Sequence, residues 1–159
     1  MPSSGATPFG FRVNNDGFLI VSEAGSPGSA SSYGVNDRGT LDPITRSIST
    51  EQNAPCWIGV TADGKYAYAI NAGSGSITGY AVNDEGVLTQ LEGGGGIFVT
   101  GGTTPTEVAI IGNRLLYVLN RDSGGIGVFA IDDDGTLCPI QNLEGVLPAT
   151  TFANGLLAR

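Results

Sequence analysis

The stretch from Pro55 to Leu88, PCWIGVTADGKYAYAINAGSGSITGYAVNDEGVL, decides the fold. It consists of short apolar runs separated by turn signals. The strongest signal is Asp63-Gly64, because both central residues of a type I′ hairpin turn need positive φ. We predict strands over residues 56–61, 66–71, 77–82 and 87–91. The stretch therefore predicts a four-stranded antiparallel meander, the unit that forms one blade of a β-propeller.

Two further stretches repeat this plan. One begins at Pro8 and reads PFGFRVNNDGFLIVSEAGSPGSASSYGVNDRGTL, and the other begins at Pro105 and reads PTEVAIIGNRLLYVLNRDSGGIGVFAIDDDGTL. The three prolines are 47 (55 − 8) and 50 (105 − 55) residues apart, which is in the range of one propeller blade. Predicted strands are 9–13, 18–22, 31–35 and 40–44 in the first repeat, and 107–111, 115–120, 126–131 and 136–140 in the third.

The predicted fold is all-β, a partial β-propeller that forms a single domain over residues 1–159. It has three four-stranded antiparallel blades, about 8–47, 55–92 and 105–143, because repeats of this size must stack on neighbours to bury their faces. An extra C-terminal strand is predicted within 147–159, where a proline is again followed by apolar residues. Residues 45–54 and 92–104 are predicted to be loose connectors between blades.

Composition excludes several classes of partner. The 26 glycines and the 14% of charged residues are typical of an all-β protein with many tight turns. A formal net charge of −8 argues against binding to nucleic acid or to an anionic membrane, since both need a basic surface. No apolar stretch reaches transmembrane length and the N-terminus lacks the features of a signal peptide, so we expect a cytoplasmic protein; a secreted origin is the alternative if an upstream part is missing.

The residue inventory also limits the chemistry. The chain has no histidine, which excludes zinc sites of the usual Cys/His kind and any Ser–His pair. Cys56 and Cys138 are predicted to be free, buried thiols. The run 132–134 before Gly135 lacks the ligand spacing of a calcium loop and predicts a turn. A hydrolase would rely on a carboxylate-activated water with an arginine, or on a metal held by carboxylates; we assign no metal ligand and no cofactor.

Several short phrases resemble the lactonase family of seven-bladed propellers. They are Pro8-Phe9-Gly10-Phe11, Ser31-Ser32-Tyr33, Ala54-Pro55-Cys56-Trp57, Asp63-Gly64-Lys65-Tyr66-Ala67-Tyr68 and Leu147-Pro148-Ala149. That family includes the propeller-type 6-phosphogluconolactonases and the fungal carboxymuconate cyclases. The resemblance implies the C-terminal three blades of a protein roughly twice as long, with substrate bound near the central channel by groups from several blades.

Comparison of the repeats singles out two carboxylates. Glu107 lies near the start of its inner strand, where its counterparts are Gly10 and Trp57. Apolar neighbours there would raise the pKa of Glu107 and make it a usable general base, whereas a solvated carboxylate is the alternative. Glu23 ends its second strand, where the other repeats have asparagine. It is either a hydrogen-bonding group across the following turn or a second candidate base at the channel mouth.

Two arginines and a tryptophan are candidates for substrate contact. Arg121 replaces alanines of the sister repeats, and the Asn120-Arg121 step resembles one in the 6-phosphogluconolactonase branch. An arginine at the channel mouth either holds a carboxylate or phosphate and steadies an oxyanion, or pairs with Asp122. Arg12, whose counterparts in the other repeats are Gly59 and Ala109, is a second candidate for the same role. Trp57 either packs against its neighbours or stacks on a sugar or lactone face.

These residues support two hypotheses about function. In the first, the protein hydrolyses a sugar lactone or related cyclic ester, with Glu107 or Glu23 activating water and Arg121 steadying the oxyanion. In the second, it is a non-catalytic propeller module that assembles with itself and binds a ligand or partner. Three open blades expose two apolar faces, which predicts a homo-oligomer in which a pair of chains completes the ring.

Overall fold

The structure, a computed structural model, describes residues 3–91 and 97–147 together with Leu156. The described residues form β-strands joined by turns, which confirms the all-β partial propeller. Within this part of the chain, no helix is long and apolar enough to cross a membrane. The predicted tail strand at 147–159 lies outside the described residues except for its first residue and Leu156.

Each repeat forms one antiparallel sheet whose strands follow chain order from the inner to the outer edge. Blade 1 contains β1 (Pro8–Val13), β2 (Phe18–Glu23), β3 (Ser29–Val35) and β4 (Leu41–Ser49). Blade 2 contains β5 (Pro55–Val60), β6 (Tyr66–Asn71), β7 (Ser76–Val82), β8 (Leu88–Gln90) and β9 (Ile97–Val99). Blade 3 contains β10 (Pro105–Ile111), β11 (Leu115–Asn120), β12 (Gly125–Ile131) and β13 (Leu137–Leu143).

The predicted connectors contain more strand than the sequence indicated. β4 continues to Ser49, because the backbone of Ser29 and Ala30 in β3 would otherwise lack partners along that edge. The outer strand of blade 2 is divided, since β8 pairs with one end of β7 and β9 pairs with the other. The prediction of a loose connector over 92–104 was therefore wrong for β9, and the glycines at 93–96 fall outside the described residues.

The entry to each blade repeats one backbone feature. Thr7, Ala54 and Thr104 precede the three prolines, and all have positive φ, at 56°, 49° and 51°. Positive φ is unfavourable for residues other than glycine. The carbonyl oxygen of each of these residues accepts a hydrogen bond from the backbone N–H that follows the second strand of the same blade, at 2.8, 2.9 and 3.0 Å. The strained residue thereby fixes each inner strand to its neighbour.

Blade 2 buries its leading face, defined as the face towards the preceding blade, against blade 1. That face is formed by Ile58, Val60, Ala67, Ala69, Tyr80, Val82 and Leu88. It packs on the trailing face of blade 1, where Ile20, Ala30 and Ile48 lie. Burying each large aliphatic side chain contributes about 1.5–3 kcal/mol, so this contact stabilises the stacking of the two blades.

Blade 3 uses the same positions to pack on blade 2. Its leading face is formed by Val108, Ile110, Leu116, Val118, Phe129, Ile131 and Leu137. The trailing face of blade 2 supplies Trp57, Tyr66, Tyr68, Ile70, Ile77 and Phe98. The inner strands β1, β5 and β10 consequently lie side by side.

Candidate functional site

A small cavity, the inner pocket, lies across the three inner strands. Its volume is about 120 Å³, and its lining consists of Arg12, Gly59, Val60, Val108, Ala109, Ile110 and Leu156. Arg12, Gly59 and Ala109 occupy equivalent positions, because each lies four residues after the proline that begins its inner strand (12 − 8, 59 − 55 and 109 − 105) and pairs with the third residue of the second strand. Blade stacking therefore brings the equivalent residue of each repeat to the inner pocket.

Gly59 creates space in this pocket and permits the close approach of β5 and β10. A Cβ atom at residue 59 would lie 2.9 Å from Ile110 Cδ1 and 3.1 Å from Val108 Cγ2. Both distances are shorter than ordinary van der Waals contact, so a side chain would push the strands apart. The glycine at one of three equivalent repeat positions is the sequence signal by which this pocket could have been found.

Glu107 is half-buried on β10, next to residues that line the inner pocket. Burial raises the pKa of its carboxyl above the ordinary value. A hydrogen bond from the backbone N–H of Leu156 and the positive charge of Arg12 oppose this shift without cancelling it. A carboxylate of raised basicity beside a cation is an arrangement suited to activating water.

The structure thus brings together two residues that the sequence singled out separately. Arg12, on β1, is exposed, and its charge acts on the carboxyl of Glu107, on β10. Arginine presents several N–H donors, which suit a carboxylate, a phosphate or a developing oxyanion. The neighbourhood of these two side chains is the candidate functional site.

Glu23 has a different environment. Its side chain is completely buried, and the carboxylate accepts hydrogen bonds from Ser3 Oγ (2.7 Å), the Gly5 N–H (2.6 Å), Ser29 Oγ (2.6 Å) and Ser31 Oγ (2.9 Å). Burial raises its pKa, but the four donors outweigh burial and hold the pKa below the ordinary value. Glu23 therefore has the properties of a structural anion that fixes the segment before β1 to blade 1.

Arg121 belongs to another group of side chains. Its Nε donates to Asp122 Oδ1 at 3.0 Å, which is the pairing that the sequence offered as an alternative to substrate binding. Its charge also acts on the Cys56 thiol, whose pKa burial raises and Arg121 partly lowers. Arg121 and Arg12 are thus associated with different acidic groups.

Trp57 is half-buried between blades. Its ring makes an edge-to-face contact with Phe9, with centroids 5.8 Å apart and planes at 80°. It also lies against Gly10, where a Cβ atom would be 2.8 Å from Trp57 Cε3. These contacts and its packing against the cluster between blades 2 and 3 are those of a packing aromatic.

The remaining polar features have local roles. Residues 132–135 form a turn closed by the Gly135 N–H, which donates to the Asp132 carbonyl at 2.9 Å. Among the described residues, no three His, Cys, Asp or Glu side chains are grouped to hold a metal ion. Both cysteines are free, but the prediction that both are buried was wrong: Cys138 is exposed, because it lies on the outer strand β13 of blade 3.

Comparison with known proteins gives one family and several structural neighbours. Residues 36–148 match the family described as Lactonase, 7-bladed beta-propeller. No curated protein matches the chain in sequence.

Three solved structures illustrate the similarity. A putative 6-phosphogluconolactonase from Bacteroides fragilis has a TM-score of 0.71 and 25% identity, over 89% of this chain and 40% of that one. A functionally unknown protein from Desulfotomaculum acetoxidans has a TM-score of 0.76 and 19% identity, over 92% and 44%. The periplasmic gluconolactonase PpgL of Pseudomonas aeruginosa has a TM-score of 0.64 and 19% identity, over 90% and 43%. The chain spans less than half the length of each of these structures.

Proposed function

Because the chain belongs to the lactonase family of seven-bladed β-propellers, we propose that it takes part in the hydrolysis of a sugar lactone or a related cyclic ester through Glu107 and Arg12. The observation that carries the proposal is the raised pKa of Glu107 beside a cation at a pocket between inner strands. Two structural neighbours, a putative 6-phosphogluconolactonase and a gluconolactonase, support the same substrate class.

The proposed reaction uses Glu107 as a general base. Its carboxylate accepts a proton from water while the water oxygen bonds to the lactone carbonyl carbon, which gives a tetrahedral oxyanion. Arg12, which also lines the inner pocket, balances this negative charge in the proposed reaction. The ring C–O bond then breaks, the proton passes from Glu107 to the departing oxygen, and the product is an open hydroxy acid. Glu107 ends in its starting state.

The size of the inner pocket limits what these three blades do by themselves. Ligand pockets usually measure about 300–1,000 Å³, whereas the inner pocket measures about 120 Å³. The space suits a water molecule and the reacting end of a lactone. We therefore expect the rest of the substrate to be enclosed by further blades.

Acid release from a gluconolactone in a pH-stat, corrected for spontaneous hydrolysis, tests the assignment. Glu107→Gln removes the base while keeping the shape, and we expect a loss of about 100-fold or more in kcat. Arg12→Ala should lower kcat about 10-fold or more. Glu85→Gln, at an exposed turn, is the matched control. Turnover that survives Glu107→Gln would exclude Glu107 as the general base. Arg121→Ala would then test the other arginine predicted to contact substrate.

The alternative function is a non-catalytic module that assembles and binds a ligand or partner. The exposed apolar face of blade 1 favours it, because such a face is typical of an interaction surface. Lactone turnover at the spontaneous rate, by protein whose fold and assembly are verified, would support this module over the hydrolase.

A further inference from the structure

The leading face of blade 1 is apolar and partly exposed, since Val21 and Tyr33 are buried and the residues around them are open. Phe11, Val13 and Leu41 expose 60%, 57% and 36% of their surfaces. Together with Leu19, Val21 and Tyr33, Phe11 and Leu41 line a hollow of about 350 Å³ on this face. An exposed apolar surface of this kind on a sheet face marks a site of contact with another protein surface.

This face has the same design as the two blade faces that are already covered. Its residues Phe11, Val13, Leu19, Val21, Tyr33, Val35 and Leu41 occupy, by strand register, the seven leading-face positions of blades 2 and 3. In blade 2, for example, Ile58 is 1% exposed at the position of Phe11 and Leu88 is 3% exposed at the position of Leu41, whereas Tyr33 is buried like its counterpart Tyr80. The occupant that fits blade 1 is therefore the trailing face of a propeller blade.

The turn glycines define where an incoming side chain would lie. Gly86 and Gly135 close equivalent turns, and each lies against an aromatic ring of the preceding blade, Phe18 and Tyr66 respectively. Gly39 closes the same turn in blade 1, and a Cβ atom there would meet nothing within 4 Å. The carbonyl oxygen of Gly135 also accepts a hydrogen bond of 2.8 Å from Tyr68 Oη.

Blade 3 carries the matching surface at the other end of the chain. Leu115, Tyr117, Ile126 and Leu143 occupy the trailing-face positions of Tyr66, Tyr68, Ile77 and Phe98. Tyr117 and Ile126 are only half-buried, whereas Tyr68 and Ile77 are fully buried under blade 3. One chain therefore presents both halves of a blade interface, each incompletely covered.

We propose that the leading face of blade 1 binds the trailing face of blade 3 in a second copy of this chain. By analogy with the contact between blades 2 and 3, Leu115 of one copy lies against Gly39 of the other, and Tyr117 Oη donates to the Gly39 carbonyl oxygen. The contact is head-to-tail, and two such contacts related by a two-fold axis close a ring of two chains. The proposal does not depend on lactone hydrolysis.

Sedimentation velocity of the full chain at micromolar concentrations tests the contact. We expect a dimer for the wild type. Phe11→Asp on the leading face and Tyr117→Lys on the trailing face should each raise the dissociation constant about 100-fold or more. Ile140→Asp is the matched control, because Ile140 is 57% exposed but lies on the outer strand of blade 3. Circular dichroism verifies the fold of each variant, and Tyr117→Phe, which removes only the hydroxyl group, should weaken the dimer without risk to the fold.

Mixing the variants separates head-to-tail pairing from other modes. The Phe11→Asp chain retains an intact trailing face, and the Tyr117→Lys chain retains an intact leading face. A mixture of the two should therefore form heterodimers, whereas each variant by itself should remain monomeric. A wild-type monomer at 100 µM would overturn the proposal and indicate that another segment or protein covers blade 1. Dimers lost with Phe11→Asp but retained with both Tyr117 variants would also overturn it, since they indicate that two leading faces pair.

Discussion

The backbone N–H of Leu156 donates a hydrogen bond to the carboxylate of Glu107, so residues 49 positions apart (156 − 107) meet at the inner pocket. The bond favours the ionised carboxylate, as does the charge of Arg12. Burial opposes both and prevails, which leaves Glu107 more basic than an ordinary carboxyl group. The balance among these three influences can be measured.

The pH dependence of turnover should report this balance. A general base acts when ionised, so kcat/KM should fall as pH decreases through the raised pKa of Glu107, with a midpoint above the ordinary value of 4.5. Arg12→Ala should move the midpoint to still higher pH, because it removes a charge that stabilises the ionised form. A midpoint that stays unchanged in Arg12→Ala would show that another group controls the profile.

Glu107→Gln should stabilise the folded chain at pH 7. The pKa of Glu107 is raised by folding, so the folded state retains its proton to higher pH than the unfolded state does. Its contribution to stability is therefore present below the unfolded pKa and is lost as pH rises through the folded pKa. Thermal unfolding at pH 7 should give a higher Tm for Glu107→Gln, and the difference should disappear near pH 4. A lower Tm at pH 7 would contradict the burial of the charged form.

Glu23→Gln should have the opposite effect. The pKa of Glu23 is lowered by folding, so its contribution to stability is present above the unfolded pKa and is lost as pH falls through the folded pKa. The amide of glutamine also places an NH₂ donor opposite the hydroxyl and N–H donors that surround residue 23, so some of these donors lose their acceptor. We expect a loss of about 1–3 kcal/mol in the free energy of unfolding at pH 7, shrinking towards pH 3. Urea unfolding at both pH values checks this, with Glu85→Gln as the exposed control.

Gly59→Ala tests the close approach of the inner strands. The added methyl group would overlap Ile110 and Val108, and such overpacking costs about 1–3 kcal/mol. Gly34→Ala is the matched control within a strand, because the nearest atom to a Cβ there is 3.8 Å away. Equal stability of the two variants would show that β5 and β10 separate at little cost.

Gly135→Ala and Gly39→Ala separate backbone strain from blade contact. Both glycines have positive φ, at 83° and 73°, so alanine imposes a similar backbone penalty at each. Only Gly135 lies against a ring, that of Tyr66. Unfolding measured on the Tyr117→Lys background, which is expected to be monomeric, should show a larger loss for Gly135→Ala. Equal losses would mean that the ring moves aside freely.

The repeat pattern allowed most strands to be predicted. The bounds of β6 and β11 agree with the predictions at 66–71 and 115–120, because apolar runs there are bordered by clear turn residues. β9 was missed because three residues after a run of glycine carry too little pattern, and its pairing with β7 depends on a free sheet edge. Glu107 and Arg12 were each identified by comparing repeats. Their proximity depends on how β1, β5 and β10 stack, which no local pattern encodes.

Because the outer strand of blade 2 is divided into β8 and β9, the chain can accept additional residues between these two strands. β8 and β9 are each held by their own hydrogen bonds to β7, at opposite ends of that strand. The number of residues between the two segments is therefore not fixed by the register of the sheet. Both segments also lie at the perimeter, on the far side of the blade from β5 and the inner pocket. Insertions between Leu91 and Ile97, including an affinity tag or a fluorescent label, should leave blade stacking intact and offer a handle for following assembly.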